Sequence, residues 1–178
     1  LSFGGSNIIG SDNIKWNDLP GIKVKIRPLE EKLYTPALVI GFESQGKETY
    51  YSGSKRYLYK SPGFYAVASK NFKWLGFISY HIGLNYSLET NDGDKDLNLF
   101  GGIEKTVGDY ISILGEYDFG FNDDQTKTFG KGDGYLNLGI NWYVGNGVTL
   151  SMQVKNLLKN TNNDKSASRV MGIHLIQL

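Results

Sequence analysis

A chain of 178 residues is the length of one domain, and a formal net charge of +1 with interleaved signs excludes the basic stripe on which nucleic-acid binding depends. It has no cysteine, which excludes a disulfide framework and a cysteine metal site, and no run approaches the roughly 20 apolar residues of a membrane helix. Glycine (23) and tyrosine (12) beside only four prolines describe amphipathic strands joined by tight bends, an all-β class.

Leu1 to Asn7 reads as the end of a strand, and one or more further strands are expected upstream of it. Gly21 to Arg27 then alternates Ile22, Val24 and Ile26 with Lys23, Lys25 and Arg27, the period of a strand with two different faces. Pro36 to Gln45 and Phe64 to Phe72 are weaker strands, the second with apolar residues at odd and even positions and so of ambiguous facing. From Phe77 to Glu89 the alternation is clean: Ile78, Tyr80, Ile82, Leu84, Tyr86 and Leu88 oppose Ser79, His81, Gly83, Asn85, Ser87 and Glu89. Ordinary strands run about 5 or 6 residues, whereas a tilted strand crossing a bilayer needs about 9 to 11, so the length of this one favours a membrane. Leu97 to Thr106, Tyr110 to Phe121, Tyr135 to Val144, Val148 to Lys155 and Arg169 to Leu178 complete a series of about ten strands, the last again of ambiguous facing.

The links alternate in kind. Those near 29–35, 73–76, 107–109 and 145–147 are short, and those near 8–20, 46–62, 90–96, 122–134 and 157–168 are long and polar. Short turns at one rim and long loops at the other are the plan of an antiparallel up-and-down transmembrane β-barrel, one domain over residues 1–178. Upstream sequence would raise the count to about twelve, since single-chain barrels of this kind usually have even counts.

Periodicity alone does not separate such a barrel from a soluble one that holds a lipid inside. Aromatics near the strand ends (Tyr80, Tyr86, Phe119, Phe121, Trp142) match interfacial girdles, and the polar face is rich in Ser, Asn, Gly and Thr rather than Lys and Glu. The apolar face is therefore expected to meet lipid. Lys23, Lys25 and Arg27 then face the lumen from one wall, and Glu89, Glu104, Glu116 and Asp118 from the other. Opposed charges in open water would make a selectivity device, whereas in a barrel this narrow they plug the interior; the filled or nearly closed lumen is the favoured reading.

His81 and His174 have no nucleophile motif beside them and read as hydrogen-bonded structural residues, so no catalytic residue, metal or cofactor is expected. Asn91 to Asp96 looks like part of a calcium loop but lacks the terminal glutamate, and reads as a solvated tip. In the loop after the second complete strand, Tyr50, Tyr51, Lys55, Arg56, Tyr57 and Tyr59 mix phenols with cations, a composition suited to a surface that binds sugar, lipopolysaccharide phosphate or protein.

Three stretches, Gly4-Gly5-Ser6-Asn7-Ile8-Ile9-Gly10, Gly41-Phe42-Glu43-Ser44-Gln45-Gly46 and Ser61-Pro62-Gly63-Phe64-Tyr65-Ala66-Val67-Ala68-Ser69-Lys70, resemble the YjbH-like outer-membrane β-barrel proteins, mainly over the first 110 residues. The resemblance implies a bacterial outer-membrane location, a further segment upstream and an association with exopolysaccharide production; it brings no catalytic motif. The expectation is a non-enzymatic barrel with a narrow, charge-lined lumen, a structural or accessory component of the envelope, in contact with outer-membrane lipid and with a polysaccharide or envelope-protein partner. The alternatives are a diffusion or exopolysaccharide-export channel and a soluble lipid-binding barrel.

Overall fold

Alternating sequences become strands only when each finds a neighbour for its backbone, and here nearly every one does so with the next in the chain. The computed structural model describes residues 21–124, 129–162 and 167–175, with the backbone of 5–6 and 15–16. Its strands are β1 (Gly5–Ser6), β2 (Lys15–Trp16), β3 (Lys23–Leu29), β4 (Ala37–Glu43), β5 (Lys47–Tyr51), β6 (Arg56–Tyr59), β7 (Gly63–Lys73), β8 (Phe77–Tyr86), β9 (Asn98–Val107), β10 (Ile111–Asp118), β11 (Tyr135–Gly145), β12 (Val148–Lys155) and β13 (Ser168–Leu175). Nine of them form one antiparallel sheet in the order β3-β4-β7-β8-β9-β10-β11-β12-β13, while β1 pairs with β2 and β5 with β6 in separate hairpins. All nine correspond to strands legible in the sequence, and the short and long links fall at opposite ends of the sheet.

Local chemistry explains the irregularities. Pro28 has no N–H to give, and the β3–β4 ladder shifts between Ile26 and Leu29 around it. The β11–β12 hairpin closes on Asn146 (φ 51°) and Gly147 (φ 74°), the pair of positive φ angles that a tight hairpin turn demands.

Pairing also fixes the two ambiguous facings. Tyr65 pairs with Asn85 and Val67 with Gly83, so β7 turns Tyr65, Val67, Ser69 and Asn71 to the polar side. Ser168 pairs with Lys155 and Val170 with Gln153, so β13 turns Ser168, Val170, Gly172 and His174 the same way. The sheet curls about that polar side, since Lys23 and Glu43 near one edge border the same cavity as Lys155, Ser168 and Val170 near the other.

Burial is inverted relative to a water-soluble protein. On β8 Tyr80, Ile82, Leu84 and Tyr86 are exposed while Gly83 and Asn85 are buried, and Ser87 and Leu88 continue the pattern. Elsewhere Val24, Ile26, Ile40, Ile103, Ile113, Leu138, Ile140, Met152, Met171 and Ile173 are exposed, while Asn98, Ser112 and Ser151 are buried.

A closed barrel is not what the described residues show: β3 and β13 are the free edges of the sheet, with no ladder between them. Nine strands that alternate in direction leave the first and last running the same way, so an antiparallel closure needs one more strand between them. The strand expected at Leu1 to Asn7 contributes only Gly5–Ser6 to the described residues, and these pair with Lys15–Trp16.

Gly63 opens β7 at φ +65°, and a Cβ there would stand 2.1 Å from the carbonyl oxygen of Tyr86. Gly63→Ala is expected to destabilise the sheet by about 1–3 kcal/mol. Gly53→Ala, at a turn with open space around it, is the neutral control; a urea titration of each refolded variant is the check.

Candidate functional site

The 46–62 link does not lie on the surface as a loop. Residues flanking Ser52-Gly53-Ser54 are rich in Tyr, Thr and Leu, and they pair as the β5–β6 hairpin, with Tyr50 opposite Tyr57 and Tyr51 opposite Arg56. The hairpin folds over the polar side of the sheet. Its Tyr59 ring meets Tyr135 of β11 at 5.4 Å, its Tyr51 ring meets Phe129 at 5.2 Å, and Lys47 lies beside Lys155 of β12. Starting from the β4–β7 wall, it therefore spans to the β11–β12 wall.

Arg56 is the hub. Its side chain is 0% exposed and ion-pairs with Asp92 (2.5 Å) and Asp123 (2.7 Å), whose side chains come from the β8–β9 and β10–β11 loops. Nε and Nη2 donate to the carbonyls of Tyr57 and Leu58, and the guanidinium lies 4.1 Å from the centre of the Phe129 ring. The pairing is completed by Lys60, which meets Asp92 at 2.9 Å and donates to the carbonyls of Asp94 and Asn122. Glu89 accepts the backbone N–H groups of Tyr57 and Ser61, and Tyr135 donates its hydroxyl to Asp123. The β12–β13 loop joins through Asn160, whose side-chain oxygen accepts the N–H groups of Lys131 and Asp133. All four long links following β4, β8, β10 and β12 are thus tied together at one rim.

Buried charges cost several kcal/mol each unless every donor and acceptor is satisfied, and here the satisfaction is mutual. Burial works against the Arg56 charge, but Asp123 and Asp92 outweigh it and hold its pKa above the usual value. Burial likewise opposes the Asp92 charge, and Lys60 and Arg56 outweigh it, holding that carboxyl below the ordinary range. The Asp92 contribution is therefore present above the ordinary carboxylate range and lost as pH falls through and below it.

Beneath the hairpin lies a cavity of about 690 Å³, bordered by polar and aromatic side chains that include Lys23, Glu43, Tyr65, Asn85, Phe100 and Glu116. Of the expected lumen charges, Lys23, Glu116 and Asp118 border it. Lys23 pairs with Glu43 of the adjacent strand at 2.9 Å rather than reaching across to Glu116 or Asp118. Asn137 donates to Glu116 at 2.8 Å, and Asp118 accepts from Asn98 at 2.7 Å and from the N–H of Gly120 at 2.9 Å. Glu104 shares their face of the sheet nearer the short turns, Lys25 is exposed, Arg27 pairs with Glu30, and Glu89 serves the hairpin instead of lining the cavity.

The surface assigned to Tyr50, Tyr51, Lys55, Arg56, Tyr57 and Tyr59 needs correction at its centre. Tyr50 and Lys55 are exposed, but Arg56 and Tyr57 are buried, because the hairpin turns inward and spends their polar groups on its own loops. The tip read as solvated is also corrected: the Asp92 side chain is 2% exposed and Asp94 is buried. Composition gave the hairpin's β-forming residues but not the partners of Arg56, which lie 36 and 67 residues away. His81 bonds Ser69 at 2.8 Å and His174 bonds Ser151 at 3.2 Å, both on the polar face of the sheet. Among the described residues no group of three or more His, Asp or Glu is placed to hold a metal ion.

No protein-family model, no curated protein and no solved structure matches the chain.

Arg56→Ala leaves Asp123 buried without its cation and Asp92 with Lys60 alone, and is expected to cost about 3–5 kcal/mol. Protection of the Tyr57 and Ser61 amides against hydrogen exchange, taken relative to their intrinsic rates at the same pH, should fall in that variant while it persists in the unsubstituted protein at neutral pH.

Proposed function

We propose that this chain is a bacterial outer-membrane β-barrel protein whose narrow polar lumen is plugged by its own hairpin, and that it serves the envelope as a non-enzymatic structural or accessory component. The observation that carries the reading is the inverted burial: large apolar side chains outward, amides, hydroxyls and ion pairs inward. Soluble monomers rarely leave large apolar side chains exposed along one face of strand after strand, and lipid is the partner that removes the cost. A soluble lipid-binding barrel would need the opposite, an apolar interior, and the cavity here is bordered by Lys23, Glu43, Glu116 and Asp118.

Dimensions agree with a bilayer. Ile78 to Leu88 covers ten residue steps. That is roughly 34 Å of strand, reduced to about 26 Å at a tilt of about 40°, against an apolar band of about 25 Å. Aromatics stand exposed toward both ends, Tyr34 (91%), Trp74, Phe77 and Tyr110 at the short-turn rim and Phe64, Tyr86, Phe119 and Phe121 toward the long loops. Lys70 and Lys105 sit on the apolar side near the short turns, and each bends its ammonium to turn carbonyls, Lys70 to Lys32 and Leu33, Lys105 to Leu75 at 2.6 Å. That is the behaviour of lysines at the edge of a hydrocarbon layer.

Membership of the YjbH-like barrels, and with it a polysaccharide-related role, rests on the three stretches of sequence alone. Ile82, 59% exposed, stands midway along the apolar face of β8. Ile82→Arg should weaken refolding into phospholipid vesicles by about 2–4 kcal/mol, whereas the unsubstituted protein should fractionate with outer membranes and run as a folded band that shifts on boiling. Recovery of the unsubstituted protein in the soluble fraction would overturn the reading.

A further inference from the structure

The hairpin has two properties that a fixed part of the wall would not combine. Among the described residues its strands bond to each other and not to the nine-strand sheet, so no ladder of backbone hydrogen bonds ties it to the wall, and a lone two-stranded hairpin is marginally stable in water. What holds it over the cavity is a set of side-chain bonds gathered on Arg56, Lys60 and Glu89, with ring contacts at Tyr51 and Tyr59. Its tethers are short and run through Gly46, where an added Cβ would stand 2.5 Å from the Tyr57 side chain, and Gly63, which holds a positive φ. The cavity below is roomy enough for a small solute, and the charges around it are mostly answered within the protein, Lys23 by Glu43 and Asp123 by Arg56.

We propose that the β5–β6 hairpin is a displaceable lid, latched by Arg56 to Asp92 and Asp123, that admits small polar solutes to the cavity from the long-loop side when it swings out. The proposal rests on the barrel reading and adds to it that the lumen is shut by a latch rather than by packing. The asymmetry of the contacts supports this. Both carboxylate partners of Arg56 lie on loops outside the hairpin, so release of that one side chain removes both buried ion pairs of the hairpin strands and leaves Lys60, Glu89 and the ring contacts to hold it, with no strand of the wall broken.

The chain has no cysteine, so one introduced thiol is a clean reporter. Val67 faces the cavity from β7, and Val67→Cys can be labelled with a methanethiosulfonate that carries a trimethylammonium group, on protein refolded in vesicles. Labelling should be slow with the latch intact and faster on the order of a hundredfold when Arg56→Ala is added. Should Arg56→Ala not fold, Arg56→Leu with Asp123→Asn removes the latch and leaves Asp92 paired with Lys60, and the same acceleration is expected. Equal rates with and without the latch, fast or slow, in protein that still shows the boiling shift would overturn the lid alone. Absence of the boiling shift in the Val67→Cys protein, with the unsubstituted protein in the soluble fraction, would take the barrel reading down with it.

Discussion

A β-strand sends successive side chains to opposite faces, and this chain uses that constraint with the usual assignment reversed. The face that curls inward carries Asn85, Asn98, Ser112, Glu116 and Ser151, and the face left open carries Ile82, Leu84, Ile113, Ile140 and Met152. A slip of one residue in a ladder of the nine-strand sheet would exchange the two sets, which is why those pairings run in unbroken register over the long strands and shift only where Pro28 and the turn at Asn146 and Gly147 require it. In water such a sheet would have no driving force to keep its shape; in lipid the outward face needs no cover.

A polar interior creates the second requirement. Charges and amides removed from bulk water have to answer one another, and most of those at the long-loop rim do so through residues far apart in the chain. Arg56 comes from one link, Asp92 from the next, Asp123 from the third, and Asn160 secures the third to the fourth. The loops are therefore parts of one network, and the hairpin at its centre owes its position to that network and to side-chain contacts such as Tyr59 on Tyr135 rather than to backbone pairing with the sheet. The division between a wall built from backbone ladders and a cap built from side-chain bonds is what allows one to stay while the other moves.

The wall was legible in the sequence and the cap was not, for a physical reason. Alternation from Phe77 to Glu89 or from Tyr135 to Val144 is a local property, and links such as Asn146-Gly147 carry their own turn chemistry, so strands and the order of short and long connections follow from neighbouring residues. Facing at Phe64 to Phe72 was not local, because Val67 and Ala66 are both apolar; only pairing with Gly83 and Leu84 settled it. The same limit hid the role of Arg56. Tyrosines interleaved with cations read as a binding surface when the loop is imagined outside, and the β-forming character of Thr49-Tyr50-Tyr51 and Tyr57-Leu58-Tyr59 around Ser52-Gly53-Ser54 was the one local signal that the segment is ordered. Of the expected lumen charges Lys23, Glu116 and Asp118 came together around a cavity, but Glu43 claimed Lys23 because cross-strand neighbours on one face lie closer than opposite walls.

The claim on which the account depends is that the apolar face of the sheet meets lipid. Nitroxide labels placed one at a time at positions 79 to 87 of β8 and the residue after it, in protein refolded into phospholipid vesicles, test it residue by residue. The account requires collision rates with oxygen, which concentrates in hydrocarbon, to peak at Tyr80, Ile82, Leu84 and Tyr86 and to fall at His81, Gly83 and Asn85. Peaks at the odd positions, or even positions that collide instead with a water-soluble nickel chelate, would contradict it.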